Sequence, residues 1–127
     1  MLVAAVACAL LAALAGGERS GAEGPGPEGA AVITIENLKF SPARLVVSAG
    51  TTVRWLNRDP FPHDVTSGRS VVGREARGLE ETRFPDGRFS SGLFGKDAAF
   101  SFTFREKGEY SYYCNIHPFM VGRIVVE

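Results

Sequence analysis

Between Ala31 and Glu127 the apolar residues recur every second position over short runs closed by turn residues, and that period confines this part of the chain to β-structure. AVITIEN sets Ile33 and Ile35 on one face, RLVVSAG ends in a glycine turn, and TTVRWLN places Val53 and Trp55 together. FPHDVTS reads as a short strand with His63 at its start. AAFSFTF aligns Phe100, Phe102 and Phe104, GEYSYYC aligns Tyr110, Tyr112 and Cys114, and VGRIVVE closes the chain. No stretch carries the period of a long amphipathic helix. Six or seven short strands at near-regular spacing predict an all-β fold, a two-sheet Greek-key β-sandwich. Residues 67–92 interrupt the pattern with charges of alternating sign and few apolar side chains. They read as a solvated excursion, with one short helix or edge strand at most, the alternative being a partner-docking role.

The first residues follow other rules. Residues 1–15 are apolar and end in Ala13-Leu14-Ala15, small residues of the kind a signal peptidase cuts behind, although the usual positive start is missing. The run is shorter than the roughly 20 residues of a spanning helix. It reads as a cleaved export signal, with membrane attachment only if the segment is kept as an anchor. Cys8 as a lipidation site fits less well, because the apolar run continues past it. Residues 16–30 hold Gly, Pro, Glu, Ser and Ala with no large apolar side chain, a flexible linker. Residues 31–127 then form one domain, in a periplasmic or otherwise exported protein. Lys and Arg balance Asp and Glu at 14 each with no basic run, which argues against nucleic acid as a partner.

The chemistry gathers in YYCNIHPFMVG. Cys114, His117 and Met120 follow one another at three-residue steps at the end of a strand and in the short loop after it, and Pro118 stiffens that loop by fixing φ. Each alone could be packing. Together they offer a thiolate, an imidazole and a thioether, and once the signal is removed Cys114 is the sole cysteine in an oxidising compartment. A lone thiol there is a liability unless buried or ligated. The only other histidine is His63, behind the turn residues Asn57-Arg58-Asp59-Pro60. Ends of separate strands meet at one pole of a sandwich, which would bring His63 to the Cys114 loop. Structural zinc seldom takes Met, and calcium and magnesium want oxygen. Two imidazoles, one thiolate and a weak axial thioether are the type 1, or blue, copper set used for electron transfer.

Phe40-Ser41-Pro42, the run Gly50 to Asn57, Phe61-Pro62-His63-Asp64-Val65 and the run Gly108 to Gly122 resemble the cupredoxins of the plastocyanin and amicyanin group. The short His-Pro-Phe-Met run is most similar to the amicyanin loop. The resemblance covers nearly the whole domain and implies that His63, Cys114, His117 and Met120 bind one copper ion. It also implies an apolar patch around the edge of His117, formed by Pro118 and Phe119 with Phe61 and Pro62, where redox partner proteins dock transiently, and a second electron route at Tyr113. One departure stands out. Relatives typically carry Asn after the first ligand histidine, whereas this chain has Asp64 there and Asn115 after Cys114. The expectation is that the Asn115 amide donates to the Asp64 carboxylate and links the two ligand loops, the alternative being an Asp64 that faces solvent.

Multicopper enzymes need further histidines in His-x-His pairs, and a dinuclear copper centre needs two cysteines in one loop; this chain provides neither. Hydrolysis by a Cys/His pair leaves Met120 unexplained. The expectation is therefore a one-electron carrier and not an enzyme. The alternative is a copper buffer or chaperone, against which the closed, stiff loop argues.

Overall fold

A computed structural model describes residues 30–75, 78–117 and 119–127; the expected signal at 1–15 and nearly all of the linker lie outside the described residues. The strands are β1 (Ala31–Glu36), β2 (Lys39–Ser41), β3 (Arg44–Val47), β4 (Thr51–Asn57), β5 (Thr66–Glu75), β6 (Gly78–Ser90), β7 (Ala99–Phe104), β8 (Gly108–Tyr113) and β9 (Val121–Val126). They build a sandwich of two sheets, β2-β1-β4-β7 and β3-β9-β8-β5-β6. The chain passes repeatedly from one sheet to the other, and both sheets are mixed, since β1 runs parallel to β4 and β3 parallel to β9. No helix occurs among the described residues.

The alternation read from the sequence is what fills the space between the sheets. Ile33, Ile35, Val53, Trp55 and Ile124 are fully buried, and Phe104 and Tyr112 nearly so. Trp55 sits at the centre, with ring centroids 5.3 Å from Tyr112, 5.7 Å from Phe100 and 5.9 Å from Phe89. Aromatic pairs at such spacings add about 0.5–1.5 kcal/mol each beyond the area they bury. Gly122 lies beside Tyr112 because nothing larger fits: a Cβ there would stand 2.2 Å from the phenol tip.

Two expectations are corrected. FPHDVTS is not a strand from His63 onward; His63 forms only an isolated bridge with Phe94, and β5 begins at Thr66. Residues 67–92 are not a loose excursion. They are largely a long antiparallel hairpin, paired from Thr66↔Ser90 to Glu75↔Gly78, with a bulge between Thr66 and Gly68. Only its base joins the sandwich, through Thr66↔Tyr113 and Ser67↔Tyr112. Buried Ser67 fastens that base. Its Oγ accepts from the amides of Arg88 (3.0 Å) and Phe89 (2.8 Å) and donates to Asp86 (2.5 Å). Farther out both faces meet water, with Val71 and Phe84 exposed. Such a ribbon has no apolar stripe for periodicity to reveal.

Candidate metal centre

The site is assembled at one pole from a loop after β4 and the loop between β8 and β9. Segment 58–63 leaves β4 at Asn57, whose fully buried side-chain amide donates to the carbonyls of Phe61 (2.8 Å) and Phe94 (3.1 Å). His63 then exchanges backbone bonds with Phe94, N to O at 3.1 Å and O to N at 2.9 Å. Its ring is wholly buried. Nε2 lies 2.8 Å from Asp59 Oδ2. A carboxylate only accepts, so Nε2 carries a proton, and in the neutral ring Nδ1 is the lone pair that faces the other way.

Asp59 itself is buried and closely held. It accepts from the amides of Asn37 (2.7 Å) and Leu38 (3.0 Å), both at positive φ in the tight β1–β2 turn. Burial pushes its pKa up, but the bonds from Leu38, His63 and Asn37 outweigh that and leave the carboxyl below its usual range. One carboxylate thus holds the β1–β2 turn and orients His63. The sequence reading took Asp59 for turn material; its place four residues before His63 was the available signal.

Cys114 follows the last residue of β8 and is fully buried. The loop after it is closed by two backbone bonds, Cys114 N to Met120 O (3.1 Å) and Met120 N to His117 O (3.0 Å), and Met120 is buried against the core cluster. His117 is partly buried and Phe119 is 69% exposed, while Pro118 lies outside the described residues. Tyr113, expected on an electron-transfer surface, is instead 1% exposed, at the point where β8 pairs with Thr66 of the hairpin base.

Three donor atoms converge. Cys114 Sγ lies 3.8 Å from His63 Nδ1 and 3.7 Å from His117 Nδ1, and the two nitrogens are 3.1 Å apart. Bonds of about 2.0–2.1 Å to imidazole and about 2.3 Å to thiolate, arranged trigonally, span edges of roughly 3.5–3.8 Å. The two sulfur edges match, and the nitrogen edge is slightly tighter. The triangle fits one transition-metal ion. Burial pushes the Cys114 thiol up, opposed by the amides of Asp64 and Ile116 directed at the sulfur, and burial with the neighbouring His63 pushes the His117 imidazolium down.

Asp64 is buried, not solvent-facing. Its Oδ1 accepts the Asn115 amide at 2.6 Å, and its Oδ2 accepts Asn115 Nδ2 at 2.6 Å and Thr66 Oγ1 at 2.7 Å. Asn115 Nδ2 also reaches Thr66 Oγ1 at 2.9 Å. From the hairpin, Arg83 donates to the Asn115 carbonyl at 2.5 Å. Thr66 and Arg83 were not read from the sequence. Arg83 could not have been, because its place depends on the hairpin.

Residues 27–127 match the family described as copper binding proteins, plastocyanin/azurin family. The chain belongs to that family. Amicyanin of Paracoccus versutus is 36% identical over 101 residues, covering 80% of this chain and 67% of the relative. Amicyanin of Paracoccus denitrificans is 37% identical over 100 residues, with 79% and 67% covered. A solved structure of the Cu(I) form of an amicyanin mutant is 38% identical, covers 79% of this chain and 84% of its own, and has a TM-score of 0.58. A reduced amicyanin mutant reaches a TM-score of 0.59 at 36% identity, with 78% and 83% covered. Within the family the converging His-Cys-His donors make the cofactor one copper ion of type 1 and the work of the site one-electron transfer rather than catalysis.

Proposed function

We propose that His63, Cys114, His117 and Met120 are the copper ligands, and that this chain carries single electrons between partner proteins outside the cytoplasm. The observation that carries the reading is the triangle of His63 Nδ1, Cys114 Sγ and His117 Nδ1, formed with Asp59 holding His63 Nε2 so that Nδ1 faces the other two donors. Copper supplies the Cu(II)/Cu(I) couple when bound. The protein's own part is to keep the donors still. Asp59 fixes the His63 ring, the Met120–Cys114 backbone bond closes the loop, and the Asp64–Asn115–Thr66 network ties the two loops together. Rigid donors change little between oxidation states, which keeps the structural cost of gaining an electron small. Buried Met120, next to that closure, would offer its thioether as a further, weaker donor to the ion.

Electrons enter and leave, on this reading, at His117, the less buried of the two histidines. Exposed Phe61, Ile116 and Phe119 on the two ligand loops supply apolar surface for transient docking, with Pro118 beside them in sequence. Residues 1–15 act as an export signal, 16–30 as linker and 31–127 as the copper domain, in the periplasm or an equivalent compartment. Tyr113 serves packing at the hairpin base rather than an exposed electron route. The purified chain loaded with Cu(II) is expected to turn intensely blue, to bleach reversibly with a mild reductant, and to lose the colour in Cys114→Ala. A colourless chain that holds only Cu(I) would mark a copper buffer instead, and tight colourless zinc binding would remove the redox reading.

A further inference from the structure

We propose that a cationic cleft on the outer face of the larger sheet docks an acidic, extended segment of a partner protein. The cleft arises where the hairpin leaves the sandwich. β5 pairs with β8 at Thr66↔Tyr113 and Ser67↔Tyr112, then turns away at the bulge before Gly68, which sits at φ 134°. Beyond Ser67 no β5–β8 pairing forms among the described residues. The space opened is about 350 Å³, and Ser111, Tyr112 and Gly122 are among the residues that line it. Arg44 and Arg123, register partners on β3 and β9, stand on one side, and Arg69 of the hairpin stands on the other.

Charge decides the occupant. Among the described residues the lining holds three guanidinium groups and no Asp or Glu, in a chain whose formal net charge is zero. Arg69 lies over the Phe84 ring, 5.4 Å from its centroid. Arg123 touches Glu109 at 3.6 Å, both side chains being half-exposed, a pair weak enough to exchange for an incoming carboxylate. All three arginines are exposed and the cleft is open, which suits a reversible protein contact better than an enclosed small-molecule site. Guanidinium forks bind carboxylates bidentately. The strand edge of β8 left by the departing hairpin adds backbone groups for an extended segment. β9 starts directly after Met120, so a segment held here flanks the loop that carries Cys114 and His117. The proposal rests on the electron-carrier reading only for the partner being a redox protein.

The test uses the full chain and a fluorescein-labelled decapeptide of alternating Glu and Ser, followed by anisotropy, with a Lys/Ser decapeptide as control. Binding of the acidic peptide alone is expected, weakening steeply with salt and falling about tenfold or more in Arg44→Glu/Arg123→Glu. The neutral pair Arg44→Gln/Arg123→Gln should show a smaller loss and serves if the reversal does not fold. Equal weakening by Arg105→Glu/Lys107→Glu, in the turn between β7 and β8, would mean a diffuse field and overturn the cleft. Displacement by inorganic phosphate at an ionic strength where sodium chloride is without effect would make it a small-anion site and overturn the docking proposal. Blue absorbance read on the same copper-loaded sample separates failure of the copper reading from failure of the cleft.

Discussion

At the copper site's edge stands Asp64. A carboxylate is found where the family resemblance implies an amide, and it is buried and saturated with donors from Asn115 and Thr66. A unit charge a few ångströms beyond the ligands interacts with a unit change of metal charge by about 1–2 kcal/mol at an effective dielectric near 20. A one-electron couple moves about 59 mV per tenfold change in equilibrium, so Asp64→Asn should raise the reduction potential by roughly 40–90 mV. Spectroelectrochemical titration reads this directly, and an unchanged or lower potential would show that the carboxylate's field is not felt at the metal. Tyr112 gives a second prediction of this size. Burial pushes its phenol up to about 12. The unfolded chain then ionises first as pH rises, so the stability Tyr112 contributes is complete below about pH 10 and is lost between about pH 10 and 12. The loss should approach 2–3 kcal/mol in urea unfolding across that window, and Tyr112→Phe should flatten the curve.

Among the elements, the hairpin shows where sequence reading stops. Strands β1, β4, β7, β8 and β9 were legible because each buries one face, and burying one face writes a period of two into the sequence. The sandwich and the approach of His63 to the Cys114 loop followed from those strands alone. The hairpin buries almost nothing outside its base, so its residues carry no such signature, and Gly68 and Pro85-Asp86-Gly87 look like breakers. Their roles are positional. Gly68 is at φ 134°, and a Cβ there would stand 2.2 Å from the Phe84 carbonyl oxygen, a backbone atom that cannot step aside. Asp59 was hidden for a related reason: its work depends on the turn at Asn37 and Leu38, some twenty residues away, which no local pattern announces. Gly68→Ala should therefore cost about 2–4 kcal/mol, combining overpacking with strained backbone. Limited proteolysis should also cut the hairpin faster. A variant as stable and as resistant as the parent would mean that the bulge relaxes freely.

For the whole molecule, the question is whether the metal builds the fold or occupies it. The core around Trp55 lies between the sheets and shares only Cys114 and Met120 with the site, and the donors already converge through hydrogen bonds that involve no metal. Folding energy and binding energy are then largely separate, unlike small domains that exist only with their ion. The apo chain should unfold cooperatively with native β-structure. Copper should add stability by mass action alone, about 4 kcal/mol when free copper stands 1,000-fold above its dissociation constant. Cys114→Ala should unfold somewhat below the apo midpoint, because it trims one buried member of the core, yet gain little from copper, while the orienting bond of His63 stays in place. Thermal melts of both chains with and without copper read this out. An apo chain that melts without a cooperative transition would reverse the order of cause, making the ion a folding element and the preformed triangle its consequence.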